Sequence, residues 1–153
     1  MYSRILTAID STRQAQSVLA HTQYLAQLGG GRAHVLHVCS LRAIHASLPV
    51  VAAPVAGVAI ASMAPAEHTV GAAHQLVDQA VAQLTAAGVT TTGEVLDARE
   101  ERAAELIVQR AQGLAIQLIV LGAQYRKRLL AALRPTVSDR VCHQLYCPVL
   151  VVP

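Results

Sequence analysis

Arg126, Lys127, Arg128, Arg134 and Arg140 crowd the stretch 122–140, where Asp139 is the one acid. That stretch carries a net +4 in a chain whose formal charge is +3. Just before it, the apolar run Leu118 to Leu121 meets Gly122, and a segment of helical character follows from Thr136 to Leu145. A strand that ends in glycine and turns toward a helix start brings backbone N–H groups and a partial positive charge to one place. Guanidinium forks add charge-assisted donors. These residue types at this spacing suit a small anionic ligand, such as a phosphorylated compound.

Two of the polar residues keep two roles open. Thr136 has Asp139 three positions on, the arrangement of a helix cap, and the same hydroxyl can face a ligand. Asp10 follows an apolar run and serves either as a turn or cap carboxylate or as a ligand contact. The competing account of the arginines is a solvated loop that favours solubility.

Other chemistry has little footing. His34 and His37, three apart on a strand, point to opposite faces and cannot clasp one metal. His68 and His74 diverge as well. Helix and strand divide Cys142 and His143 from Cys147, so no metal site is expected. Asp97, Glu100, Glu101 and Glu105 suit the acidic first turns of a helix better than a paired acid and base. No serine nucleophile elbow occurs, and no catalytic constellation is expected. Cys39, Cys142 and Cys147 are odd in number and lack CxxC spacing, which argues against a disulfide framework and for buried, inert thiols.

The elements that position these residues follow from periodicity. Ser3–Ile9 suits a strand, and Ser11 or Thr12 can cap a helix with Ala15, Val18, Leu19, Thr22 and Ala26 on one face. Gly29, Gly30 and Gly31 stop it. Ala33–Cys39 is the second strand. Ala73, Leu76, Val77, Ala80, Val81 and Leu84 line a second helix that ends near Gly88. Val89–Leu96 is the most polar strand and belongs at an edge. Asp97 then caps a helix carrying Ala104, Ile107, Val108 and Ala111. Gln117–Leu121 is nearly all apolar and belongs inside the sheet. This alternation predicts an α/β fold, one open parallel sheet with helices on both faces. Ligands of such sheets sit beyond the carboxyl ends of the strands, where Asp10, Val38 and Gly122 fall.

At 153 residues, 54% hydrophobic and 14% charged, the chain suits a single domain, 1–153, with one core. The start lacks the pattern of a secretory signal, so the cytoplasm is the expected compartment. With no Phe or Trp and four Tyr, a base-stacking surface is not expected, and nucleic acid is not a predicted partner. The connection 43–66 has no Asp, Glu, Lys or Arg, but Pro49, Pro54, Gly57 and Pro65 argue against a membrane span. A mobile apolar lid, or a surface buried in a dimer, is the expected role of this variable connection.

Nearly the whole chain resembles the universal stress protein family. The resemblance rests on Arg4-Ile5-Leu6-Thr7-Ala8-Ile9-Asp10-Ser11, on Val35-Leu36-His37-Val38 and on Leu118-Ile119-Val120-Leu121-Gly122. Val137-Ser138-Asp139-Arg140-Val141 and Cys147-Pro148-Val149-Leu150-Val151-Val152 complete it. It implies a five-stranded parallel sheet in the order 3-2-1-4-5, Rossmann-like and similar to the adenine nucleotide alpha hydrolase fold. It also implies a homodimer built through the C-terminal strand, 148–152. Some members bind ATP and others do not. Those that do carry a glycine, two residues, a second glycine, nine residues, then a third glycine before Ser or Thr. Laid on this sequence, Gly122 and Thr136 match, while Tyr125 and Pro135 replace the second and third glycines. By resemblance Ala8, Asp10, Val38, Gly122, Gln124, Tyr125, Arg126, Thr136 and Val137 would line an altered site for ATP or another adenine nucleotide. Asp10 would approach the ribose and phosphate region, and the Val38 backbone the adenine. The expected function is a stress-response binding or regulatory protein without turnover, with weak or absent ATP affinity. The alternative is a working nucleotide site, with arginine side chains in place of the glycine loop and at most slow hydrolysis.

Overall fold

The computed structural model describes residues 2–39, 70–98, 100–123, 135–144 and 146–153, with the backbone alone at 100 and 101. The apolar connection 43–66 lies outside the described residues, as do Gln124, Tyr125 and Arg126 of the expected site. In chain order the elements are β1 (Arg4–Ala8), α1 (Gln14–Gly29), β2 (Arg32–Cys39), α2 (Val70–Ala86), β3 (Thr90–Asp97), α3 (Glu100–Gly113), β4 (Leu118–Gly122), α4 (Val137–His143) and β5 (Val149–Val152). The five strands form one sheet in the order β3-β2-β1-β4-β5, every pair parallel.

β1 and β4 are apolar on both faces because both faces are covered. Ile5 and Leu6 are adjacent in sequence and fully buried, yet they enter different cores. Ile5 joins Val18, Leu19, Val77 and Leu84 in the layer of α1 and α2. Leu6 joins Ala104, Ile107, Val108 and Val141 in the layer of α3 and α4. Each fully buried Leu or Ile contributes about 1.5–3 kcal/mol.

The face of α1 expected from periodicity is the one that is buried: Ala15, Val18, Leu19, Thr22 and Ala26. Its end is also as expected, with Gly30 at φ 57°, where a side chain would be strained. Its start is not. The N-cap is Arg13, with no side-chain cap, rather than Ser11 or Thr12. Thr12 is held instead by Asp10, whose Oδ1 accepts its N–H at 3.0 Å and its hydroxyl, a local turn that competes with capping. Within the core, Thr22 Oγ1 donates to the Val18 carbonyl at 2.9 Å and therefore accepts from Thr7 Oγ1, also at 2.9 Å. Both hydroxyls are fully buried and join α1 to β1.

β3 lies at the sheet edge, as its polarity implied. It continues through Asp97, which pairs with Cys39. Asp97 is thus the last residue of the strand, and α3 begins at Glu100. The last helix likewise stops at His143, short of the expected Leu145. On β3, Glu94 accepts from Arg110 Nε and Nη2 and from His34 Nε2 at 3.0 Å. Partial burial pushes the Glu94 carboxyl up, but the bonds from Arg110 and His34 outweigh it and hold it below its usual range.

Gly93 explains how α2 covers this edge. A Cβ there would meet Val77 Cγ1 at 2.5 Å and Val81 Cγ2 at 2.7 Å, so the helix packs directly on strand backbone. Gly93→Ala is expected to lower stability by about 1–3 kcal/mol through overpacking. Urea denaturation checks this, and an unchanged midpoint would contradict the close approach.

Candidate functional site

The carboxyl ends of β1, β2 and β4 are brought level by register. Ala8 pairs with Leu36 on one side and with Leu121 on the other. The ladder runs one step further, as Ile9 N–H donates to the Leu36 carbonyl at 3.0 Å. His37, buried, lies 2.8 Å through Nδ1 from the Ile9 carbonyl, which can only accept, so Nδ1 carries the proton. Beyond these contacts the strands part and leave a crevice of about 190 Å³.

Five of the expected site residues line it: Ala8, Asp10, Val38, Gly122 and Val137. Thr136 stands beside it as the N-cap of α4. The crevice is roofed on one side by the start of α1, through Gln14, Ala15 and Val18, and on the other by Ile107 of α3. Gln14 and Ser138 also line it and were not expected. Ser138 follows the cap by two residues, a spacing that places it on the inner side of the first turn. Gln14 gave no signal, being one polar residue near a helix start.

Hydrogen-bond capacity decides what Thr136 does. Its hydroxyl donates to Asp139 Oδ2 at 2.7 Å and accepts from the Asp139 N–H at 3.2 Å. Asp139 Oδ2 also takes the Thr136 N–H at 3.0 Å, which completes a capping box. Ser138 Oγ lies 3.1 Å from Thr136 Oγ1. Thr136 has already given its one proton to Asp139, so Ser138 is the donor between the two hydroxyls. Thr136 then donates once and accepts twice, and its hydroxyl is fully engaged in the cap. Ser138, only 5% exposed, keeps its acceptor lone pairs on the crevice wall. Asp10 is held in its turn through Oδ1, while Oδ2 has no hydrogen bond among the described residues.

Charge is partly internal. Arg140 lies 3.6 Å from Glu105 on α3, so that member of the basic stretch has a carboxylate beside it. The cysteines are half-buried rather than buried. Burial pushes the Cys39 and Cys147 thiols up, and at Cys39 the neighbouring Asp97 adds to the shift. Among the described residues, no group of three or more His, Cys, Asp or Glu could hold a metal ion.

A sequence profile of the universal stress protein family matches residues 1–153. The chain belongs to the universal stress protein family. Solved structures agree in fold. A universal stress family protein from Burkholderia pseudomallei is 23% identical, with a TM-score of 0.67 over 99% of this chain and 96% of its own. The universal stress protein from Archaeoglobus fulgidus in complex with dAMP is 18% identical, with a TM-score of 0.66 over 99% and 98%. A universal stress protein in complex with cAMP is 12% identical, with a TM-score of 0.69 over 99% and 96%. A search of curated proteins found no match. The sheet order of this universal stress domain, 3-2-1-4-5, is the one the family resemblance implied.

The bonds from the Thr136 hydroxyl and N–H hold the Asp139 carboxyl below its ordinary range. Because the folded value is depressed, this contribution is fully present above the unfolded value and is lost as pH falls through the folded one. Thr136→Ala is expected to cost about 1 kcal/mol at neutral pH. It should also flatten the acid limb of stability against pH, measured by thermal melts across the carboxylate range. A variant as acid-sensitive as the wild type would contradict the cap.

Proposed function

We propose that this protein is a stress-linked binding and regulatory domain that takes an adenine nucleotide, ATP or AMP in class, weakly and without turnover. The observation that carries the reading is the crevice itself, on which Ala8, Asp10, Val38, Gly122 and Val137 converge from distant parts of the sequence. The dAMP and cAMP complexes of proteins with the same fold support the ligand class. In this reading the Val38 backbone meets adenine and Asp10 the ribose. Gly122, Thr136 and Val137 would face the phosphates, and the family pattern assigns Gln124, Tyr125 and Arg126 to the same site.

Weak affinity follows from two residues. On the family's pattern Tyr125 has a side chain where a phosphate-binding glycine has none, and Pro135 has no N–H to donate. Each donor lost to a charged group costs about 1.5–3 kcal/mol, roughly ten- to hundredfold in affinity. The engaged hydroxyl of Thr136 acts in the same direction.

The partner we propose is a second copy of the chain, joined through 148–152. β5 is an edge strand, and Val151 on it is 36% exposed. An unpaired edge is a ready template for another strand. Neither nucleic acid nor a membrane is a proposed partner, and no described helix is long and apolar enough to cross a bilayer. The proposed setting is the cytoplasm.

Two experiments test this. In isothermal titration, wild-type protein should bind ATP weakly, and restoring glycine at Tyr125 and Pro135 together should tighten it by about tenfold or more. Sub-micromolar wild-type binding, abolished by Asp10→Ala, would overturn the weak site. No gain on restoring the glycines would assign phosphate recognition to Arg126 and its basic neighbours. For the assembly, Val151→Lys should convert the dimer to monomer in sedimentation velocity, and an unchanged profile would count against that interface.

A further inference from the structure

Gln14 lines the crevice with a side-chain amide whose donors and acceptor are unused among the described residues. It is the first residue of α1, half-buried, and its amide makes no hydrogen bond among the described residues. Asp10 and Ser138, on the same walls, are already held by Thr12 and Thr136. Gln14 also lies directly over Gly122. A Cβ added at Gly122 would stand 3.3 Å from Gln14 Oε1 and 3.5 Å from Gln14 Cβ. A group lying directly on Gly122 from the α1 side would therefore meet the Gln14 amide. The amide oxygen and nitrogen exchange places by a half-turn of one terminal torsion, so the same position can present two N–H donors. The remaining neighbour of that Cβ is the apolar Val18 Cγ2 at 3.6 Å, so Gln14 is the polar side chain nearest to it.

We propose that Gln14 is a specificity-determining residue that donates its side-chain N–H to an anionic oxygen of a phosphate monoester lying against Gly122. It supplies a neutral donor where Pro135 has no backbone N–H to give. The proposal rests on the adenine-nucleotide reading of the crevice and names how that site reads its ligand's charge. Neutrality matters because Asp10 already contributes a carboxylate to the same crevice. A ligand hydroxyl at this place would tolerate Gln14→Glu, since a carboxylate still accepts. A phosphate would not, because the substitution removes both donors and sets like charges together.

The test is isothermal titration of the full chain with AMP and, separately, adenosine, for wild type, Gln14→Ala and Gln14→Glu. AMP affinity should fall about tenfold in Gln14→Ala and further in Gln14→Glu, while adenosine stays within about twofold of wild type. An acid in the first turn of a helix is favourable, so Gln14→Glu should melt no lower than wild type, which separates lost recognition from lost fold. AMP binding unchanged in both variants, AMP binding retained in Gln14→Glu, or adenosine falling in step with AMP would each overturn the proposal alone. Wild-type protein that binds neither probe would overturn the ligand reading itself, and this proposal with it.

Discussion

Parallel pairing on both sides of β1 governs the rest of the molecule. Each parallel connection must cross over a face of the sheet, and its right-handed sense fixes which face. From β1 to β2 to β3 the chain steps one way along the sheet, which places α1 and α2 in one layer. From β3 it returns past β1 to β4 and on to β5, and the same handedness places α3 and α4 in the other. The two directions part at β1 and β4. There α1 and α4 lie on opposite faces and a gap opens at the strand ends. Ala8, level with Leu36 and Leu121, marks its floor.

Most of this frame is legible in the residues. The five buried positions of α1 share a helical stripe, and the run Leu118–Leu121 is apolar on both faces because both are covered. What periodicity misses is competition at the ends. Thr12 looks like a cap but is drawn into a turn by the carboxylate two residues before it. Asp97 reads as lying beyond the strand but keeps a strand partner in Cys39. Both outcomes depend on hydrogen bonds that no stripe of apolar residues records.

The crevice divides in the same way. Asp10, Val38 and Gly122 follow from strand ends alone, because an open parallel sheet exposes those positions together. The role of Thr136 does not. A threonine three residues before an aspartate fits a cap or a ligand contact equally, and only the count of protons and lone pairs separates them. Gln14 is less legible still, since its meaning comes from standing over a glycine more than a hundred residues away. The walls are largely apolar, with a few polar atoms at fixed places.

The hydroxyl pair between Thr7 and Thr22 carries a consequence for how such a chain can vary through descent. Removing the Thr22 oxygen alone strands the Thr7 hydroxyl in a dry interior, and removing the Thr7 oxygen leaves the Thr22 hydroxyl only its bond to the Val18 carbonyl, whereas exchanging both for apolar groups of like shape can be nearly neutral. Drift at the first strand is therefore tied to drift at the first helix. The two positions are free to change together, and a lineage that altered one would be pressed to alter its mate.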